Sequence, residues 1–233
     1  MIAVSAAQSP VRPAQLVERR IISSILDGTF PPGTPLPGER QLAETIGVAR
    51  PLLRETLHRL AGEGWLTIAH GKPTMVNDYW EQGGMGLLST LAKHIGALPP
   101  GFVTHLMNFR SRLLPIIAGL AVERAPQELL AYLKARRGLD DDIDRFVDFD
   151  WRLQLVMAAK TGNPIYRLIF NDFATLFASL AKAYFALPEA RVASRNYYRD
   201  LEAAIQSGSH RVETVVEDAM NHSVAIWQRV ASD

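Results

Sequence analysis

The sequence contains no cysteine, and this absence excludes several kinds of chemistry at once. Without thiols the chain has no disulfides, no cysteine nucleophile and no thiolate zinc site. It also has no apolar run close to the roughly 20 residues of a membrane-spanning helix, and its N-terminus lacks the apolar core of a signal peptide. We therefore expect a cytoplasmic protein without a membrane partner.

An excess of charge of one sign is also missing. The 25 Lys and Arg residues nearly balance the 24 Asp and Glu residues, which leaves a formal net charge of +1. Overall charge therefore does not indicate a nucleic-acid partner, and any basic signal has to be local. With 233 residues, 48% of them hydrophobic, and a mean hydropathy of +0.01, the chain is long enough for two modest globular domains.

Catalytic motifs are absent as well. The chain has no G-x-S-x-G, no H-E-x-x-H and no phosphate-binding glycine loop, and its six histidines show no close pair at helical spacing. We predict no catalytic residues, no metal site and no cofactor, so the protein is not expected to be an enzyme. A helical enzyme with a DNA-binding appendage stays open as an alternative at this point.

The most informative stretch is Glu39–Arg59, ERQLAETIGVARPLLRETLHR. Two short amphipathic helical patterns meet at Gly47, a residue type that enters a left-handed bend without strain. The apolar positions follow helical spacing on both sides of this glycine, with Leu42, Ala43 and Ile46 before it and Leu53, Leu57 and Leu60 after it. This spacing predicts a helix-turn-helix.

The second of these helices is predicted to carry two cations on its outward face. Arg50 and Arg54 are four residues apart near its N-terminus, and Pro51 falls in the first turn, where a missing N–H has no cost. Arginine pairs bidentately with guanine in the major groove, so this helix is a candidate recognition helix. The alternative is an ordinary helical hairpin whose arginines are only solvated.

A predicted β-hairpin follows and favours DNA binding over that alternative. Trp65–Ile68 and Thr74–Val76 have the composition of short strands, and the loop between them contains His70, Gly71 and Lys72. A hairpin after a recognition helix is the wing of a winged helix, where a basic tip contacts phosphates or the minor groove. Gly38 and Arg40 stand at the start of the first helix, where backbone amides bind phosphate.

Four segments are predicted along the chain. Residues 1–13 form a flexible N-terminal arm, 14–78 the winged helix-turn-helix, 79–86 a linker whose Tyr79 and Trp80 dock on a neighbouring surface, and 87–233 an all-helical domain. The last segment contains seven helical patterns: Leu87–Ile95, Phe102–Arg124, Glu128–Arg137, Asp142–Lys160, Pro164–Leu187, Glu189–Gln206 and Val212–Val230. The predicted fold class is mainly α, with an antiparallel bundle of about seven helices after the winged helix.

The bundle is the expected place for a ligand. Its helices are rich in aromatic residues, and a cavity among them would be apolar and long, which suits an acyl chain. Arg110 lies among apolar neighbours and is either a solvated rim residue or a cation at a pocket mouth.

Several motifs resemble a known family. The run LPGERQLAETIGVARPLLRETLHRLAGEGWLTIAHGKPTMVND is similar to the winged-helix domain of the GntR superfamily. The segments FPPGT, TGNPIY and YFALPEAR resemble its FadR branch, over nearly the whole chain. The resemblance implies a homodimeric transcription factor of fatty-acid metabolism that binds a palindromic double-stranded DNA operator. It further implies that long-chain fatty acyl-CoA, bound in the helical domain, is the effector.

The family's functional positions carry over residue by residue. DNA contacts correspond to Arg40, Arg50, Arg54, His70, Gly71 and Lys72, whereas Ala49, Pro51 and Leu52 replace small hydroxyl residues and put some contacts in doubt. Acyl-CoA contacts correspond to Arg110, Tyr184, Tyr198, Ser223 and Trp227. Met220, His222 and Ser232 depart from that pattern, and a bulky Met220 is expected to shorten or redirect the pocket.

Two further alternatives concern the effector. Another branch of the superfamily binds small carboxylates through a metal held by an aspartate and three histidines. Here Arg152 and Tyr198 stand where two of the histidines would be, which leaves His222 alone. An acyl-CoA effector is therefore expected over a small organic acid, and a DNA binder without any effector is the last alternative.

Overall fold

The computed structural model describes residues 13–208 and 211–232, with side chains as far as Arg229. The chain has two compact units, Met1–Pro99 and Pro100–Asp233. Most of the predicted N-terminal arm lies outside the described residues. In the described part, no helix combines the length and apolarity that a membrane crossing requires.

The N-terminal unit is a winged helix-turn-helix, as predicted. Its elements are α1 (Pro13–Leu26), α2 (Glu39–Ile46), α3 (Arg50–Gly62), β1 (Leu66–Thr67), β2 (Met75–Val76), α4 (Tyr79–Gln82), α5 (Leu87–Lys93) and a short 3-10 helix (Ile95–Ala97). Gly47 ends α2 in the left-handed conformation, with φ of 80°, and its N–H donates to the Ala43 carbonyl. The predicted apolar stripe of α3 is buried and α3 packs against α1, with Leu53, Leu57 and Leu60 at most 2% exposed.

The wing strands are shorter than predicted, with two residues each, and they pair antiparallel with Leu66 opposite Val76. On its other side, β2 pairs with the proline-rich segment before α2. The Leu36 N–H donates to the Thr74 carbonyl and the Val76 N–H to the Thr34 carbonyl, both at 2.8 Å. The sequence predicted an extended proline-rich segment but not that it would become a partner of the wing.

The segment predicted as a linker contains a helix and packs on the winged helix. Asp78 caps α4 by accepting a hydrogen bond from the Trp80 N–H, and the Tyr79 ring packs 4.9 Å from the Trp65 ring. Tyr79 is buried, and α5 also belongs to the N-terminal unit. This unit therefore continues to Pro99, past the predicted domain end at residue 78, because burial of Tyr79 and of the apolar face of α5 extends its core.

The C-terminal unit is all helical, as predicted, although the first of the seven predicted bundle helices is α5 of the other unit. Its helices are α6 (Phe102–Arg124), α7 (Pro126–Lys134), α8 (Ile143–Lys160), α9 (Pro164–Phe185), α10 (Pro188–Gln206) and α11 (Val212–Ser232). Asp142 and Asn163 cap α8 and α9 through their side chains, and Pro188 occupies the first turn of α10. These local signals explain why the predicted and observed helices agree closely.

Candidate functional site

The start of α3 is an exposed cationic surface. Arg50 and Arg54 are both exposed, and together with Glu39, Pro51, Glu55 and His58 they line a shallow cleft. The Arg54 side chain is 66% exposed, with its Nε 3.4 Å from Glu39 Oε1, so this contact is weak and leaves the guanidinium accessible. Two arginines on one outward helix face match the predicted arrangement for reading a groove.

The N-terminus of α3 is open. Ala49 is exposed and stands at the cap position in an extended conformation, with no side-chain hydrogen bond, while Pro51 lies in the first turn and Leu52 is half-buried. Ala49 and Leu52 offer no side-chain donor here, but the backbone N–H groups of Arg50 and Leu52 receive no cap from the Ala49 side chain, while Pro51 has no N–H. Such groups bind phosphate oxygens together with the positive end of the helix dipole.

The other predicted DNA-contacting residues are also exposed in this unit. Gly38 precedes α2 without a side-chain cap and Arg40 follows in its first turn. His70, Gly71 and Lys72 form the exposed tip of the wing, where Gly71 has φ of 71° and the Lys72 N–H closes a turn on the Ala69 carbonyl. The surface therefore offers cations from the start of α2, from α3 and from the wing.

The C-terminal unit encloses a cavity of about 110 Å³, formed by α6, α8, α9, α10 and α11. Its wall is mainly aromatic and aliphatic: Phe109 stacks on Phe173 with ring centroids 5.7 Å apart, and Trp151 stacks on Phe177 at 4.6 Å. A cavity of this size and lining has room for an apolar group.

Five of the six predicted ligand residues line this cavity, namely Arg110, Tyr184, Met220, Ser223 and Trp227. They come from α6, α9 and α11, so only the tertiary fold brings them together. The sixth, Tyr198, is fully buried and does not line the cavity. Its hydroxyl donates to Asp150 Oδ1 at 2.9 Å, so Tyr198 acts on the cavity wall through Asp150.

Asp150 is the centre of a buried polar cluster in that wall. The carboxylate is 5% exposed and accepts hydrogen bonds from Arg110 Nη2 at 3.1 Å, Gln154 Nε2 at 2.6 Å and the Tyr198 hydroxyl. The Arg110 guanidinium also lies 5.9 Å from the Phe177 ring centroid. Arg110 therefore lines the cavity with its charge paired to Asp150, and its role towards a ligand stays a prediction.

The tyrosines of the wall act as neutral hydroxyl groups. Burial, reinforced by the Asp150 charge, raises the pKa of Tyr198 well above its ordinary value. The phenol therefore stays protonated and donates a hydrogen bond to Asp150. Burial also raises the pKa of Tyr184, whose hydroxyl donates to Ser223 Oγ at 3.1 Å. Ser223 in turn donates to the Ala219 carbonyl within α11.

Sequence reasoning missed Asp150 and Gln154. Both are at most 5% exposed, and they lie one helical turn apart on the face of α8 that also carries Leu153. Two polar residues four apart on an otherwise apolar helix face are a recognisable signal, because buried polar groups require partners. The signal does not show that the partners would be Arg110 and Tyr198.

The positions of the metal-binding alternative can be located in this unit. Among residues 13–208 and 211–232, no group of three or more His, Asp or Glu side chains is placed to hold a metal ion. Arg152 is exposed and pairs with Asp148 at 2.8 Å, and His222 stands at the exposed edge of the cavity. The Ser232 side chain lies outside the described residues.

Comparison with known proteins gives the family of each part of the chain. Residues 13–76 match the family described as bacterial regulatory proteins, gntR family, and residues 77–233 match the FadR C-terminal domain. The chain belongs to the FadR family. As a member of this DNA-binding family, it is a GntR-type transcription regulator rather than an enzyme, as predicted.

Relatives of this FadR-family chain extend over almost its whole length. It is 40% identical to the fatty acid metabolism regulator protein of Klebsiella pneumoniae (strain 342) over 225 residues, which cover 96% of this chain and 93% of the relative. The corresponding Salmonella paratyphi B protein is also 40% identical with the same coverage. The solved structure of Lar, described as controlling the agr system of Listeria monocytogenes, has a TM-score of 0.57 at 15% identity over 97% of this chain and 99% of Lar, which supports the fold alone.

Proposed function

We propose that this chain is a cytoplasmic regulator of fatty-acid metabolism that binds a palindromic operator as a homodimer and is released by long-chain fatty acyl-CoA. The observation that carries the effector assignment is the apolar cavity. Among the described residues that line it, Arg110 is the one Lys or Arg, and its guanidinium is already paired with Asp150. The relatives' printed name supports the metabolic role.

The Arg110–Asp150 pair favours an acyl chain over a small acid. A small carboxylate that bound Arg110 would displace Asp150 and leave a buried charge without its strongest partner, at a cost of several kcal/mol. An acyl chain instead gains about 0.8 kcal/mol for each methylene buried against the aromatic wall. The headgroup then remains near the rim, where Trp227 and His222 line the cavity.

Release of DNA follows from a population shift. Arg110 lies on α6 and Asp150 on α8, so a chain that widens the cavity favours a different spacing of these helices. The ligand changes DNA binding only by as much as it prefers that arrangement, about 1.4 kcal/mol for each tenfold loss of operator affinity.

The deciding experiment is a fluorescence-anisotropy titration of a FadR-type palindromic duplex at fixed salt, with oleoyl-CoA added to the preformed complex. We expect release by oleoyl-CoA and none by free CoA or citrate. Release by citrate would indicate a small-acid regulator. Tight binding that ignores all three compounds would indicate a DNA binder without this effector.

The DNA-binding assignments have their own test. Arg50→Ala and Arg54→Ala should each lower operator affinity by about 1–3 kcal/mol and relax base preference, because they remove bidentate base contacts. Lys72→Ala should weaken binding to operator and to scrambled duplex alike. Uniform losses for all three variants on every duplex would contradict base reading by α3.

A further inference from the structure

An acidic side chain lies among the cations of the surface predicted to contact DNA. Glu39 is in the first turn of α2, and it lines the same shallow cleft as three residues of α3, namely Arg50, Arg54 and His58. Because a carboxylate repels DNA phosphates, attraction to the DNA backbone does not account for an acid at this position. Its contact with Arg54 indicates a different role.

The Glu39 carboxylate contacts Arg54 at one edge of the guanidinium. Glu39 Oε1 accepts a hydrogen bond from Arg54 Nε, with 3.4 Å between the two atoms. In the described part of the chain, no hydrogen bond or ion pair occupies the terminal nitrogens Nη1 and Nη2. Guanine accepts two hydrogen bonds from an arginine, at O6 and N7. Glu39 therefore holds Arg54 by the one nitrogen whose use leaves both terminal nitrogens available to a base.

A contact of this kind orients Arg54 but adds little to the stability of the fold. Ion pairs between exposed side chains contribute little to the free energy of unfolding, and the Arg54 side chain is 66% exposed. A long side chain nevertheless loses rotamer freedom when it binds, and restricting it beforehand reduces that cost. Glu39 is itself favoured at its position, because the N-terminal turn of a helix stabilises negative charge.

The charge of Glu39 has a second effect, which concerns DNA of unrelated sequence. Non-specific binding depends almost entirely on phosphate contacts, and the Glu39 side chain is 31% exposed beside the cations that would make them. A negative charge here weakens the binding of every duplex, whereas the orientation of Arg54 helps only a duplex that presents guanine at the matching position. Both effects favour the operator over other DNA.

We propose that Glu39 is a specificity-determining residue of the DNA-binding surface, because it positions Arg54 for base reading and opposes binding to unrelated DNA. Glu39 acts through Arg54 and does not itself contact a base. This role rests on the base reading proposed for Arg54, and it is independent of which effector the helical unit binds.

The test measures affinity for a FadR-type palindromic duplex and for a scrambled duplex by fluorescence anisotropy, at one salt concentration and without effector. Glu39→Ala in the full-length protein should bind the operator about three- to fivefold more weakly, and the scrambled duplex no more weakly, than the unmodified protein does. Glu39→Gln keeps an oxygen that accepts from Arg54 Nε but removes the charge. It should therefore keep operator affinity and bind the scrambled duplex more tightly.

Glu44→Ala is the matched control, since Glu44 is an exposed acid on the same helix and does not line the cleft. It removes the same charge, so the ratio of operator affinity to scrambled-duplex affinity should stay unchanged. A ratio that falls equally in Glu44→Ala and Glu39→Ala, or in neither variant, would overturn the proposal. An equal loss of affinity for both duplexes in Glu39→Ala would also overturn it, because Glu39 would then only support the structure of α2.

A double-variant cycle with Arg54→Ala shows whether Glu39 acts through this arginine. In the Arg54→Ala background, Glu39→Ala should cause no further loss of operator affinity. A further loss as large as in the unmodified background would mean that Glu39 contacts DNA itself, which would contradict the positioning role. If Arg54→Ala alone weakens both duplexes equally, the proposed base reading by Arg54 fails, and that result is separate from a failure confined to the Glu39 variants.

Discussion

Among individual side chains, Asp150 determines how Arg110 is interpreted, because the two form an ion pair. A helix-borne arginine beside an apolar pocket suggests an anion site, yet its partner 40 residues later already neutralises it. A buried pair of this kind contributes little net stability, but removing one member is costly. The cavity wall therefore contains a polar cluster whose members are already hydrogen-bonded to one another. A ligand that binds here meets this cluster and not an unpaired cation.

Tyr198→Phe tests this cluster. The change removes one of the donors to the buried Asp150 carboxylate, so we expect the free energy of unfolding to fall by about 1–3 kcal/mol. Urea denaturation at constant slope measures the change. Tyr166→Phe is the control, because Tyr166 is half-buried and no described hydrogen bond uses its hydroxyl. Equal stability of the two variants would contradict a role for Tyr198 in holding Asp150.

His94 predicts a pH dependence of stability. Burial lowers its pKa in the folded protein below 6.5, and the nearby Glu18 only partly opposes this effect. As pH falls through about 6.5, His94 binds a proton in the unfolded chain but stays neutral in the folded protein. The free energy of unfolding therefore decreases towards lower pH. His94→Leu should reduce this loss of stability between about pH 7.5 and about pH 5.

Denaturant midpoints across that range measure the effect of His94→Leu. The matched control is His105→Leu, at an exposed position of the other unit. A variant whose stability declines with acid as steeply as that of the unmodified protein would show that His94 is not the responsible group.

At the level of secondary-structure elements, the approach of α4 to the end of α3 depends on two glycines. Gly64 has φ of 94°, and a Cβ there would lie 2.8 Å from Gly83 Cα and 2.9 Å from the Gln82 carbonyl oxygen. These are backbone atoms and cannot rotate away. The close approach explains why the predicted linker is part of the N-terminal unit.

Gly64→Ala should therefore lower the free energy of unfolding by more than about 2 kcal/mol, because backbone overlap adds to the cost of a left-handed conformation. Gly28→Ala is the matched control, since Gly28 has φ of 80° and open space around its Cα. It should lose only the conformational term of about 1–2 kcal/mol. Similar losses for both variants, measured by thermal or urea denaturation, would argue against the close contact with Gly83.

For the molecule as a whole, the proposed mechanism requires reciprocal effects. If oleoyl-CoA weakens operator binding about 100-fold, operator DNA must weaken oleoyl-CoA binding by the same factor, or about 2.7 kcal/mol. Titrations of oleoyl-CoA with operator-bound and free protein at one salt concentration measure this factor. A scrambled duplex at the same concentration should have a much smaller effect. Unequal factors for the two ligands would show that they do not share one conformational equilibrium.

The sequence by itself determined most local structure. Gly47 between two apolar stripes predicted the helix-turn-helix, and the caps and prolines at Asp142, Asn163 and Pro188 predicted where helices begin. These features are visible because periodicity, capping and left-handed turns are properties of neighbouring residues. The family resemblance predicted five residues that line the cavity, but it did not predict Asp150 and Gln154, to which Arg110 is bonded.

Only the tertiary structure decided which distant residues meet. The pairing of β2 with Thr34–Leu36, the inclusion of α5 in the N-terminal unit and the Arg110–Asp150–Tyr198 cluster all join segments far apart in the chain. Periodicity shows that Asp150 and Glu18 lie on buried helix faces, but it does not name the cations that neutralise them. That choice depends on how whole helices pack, because a buried charge is stable only where the fold supplies its partner.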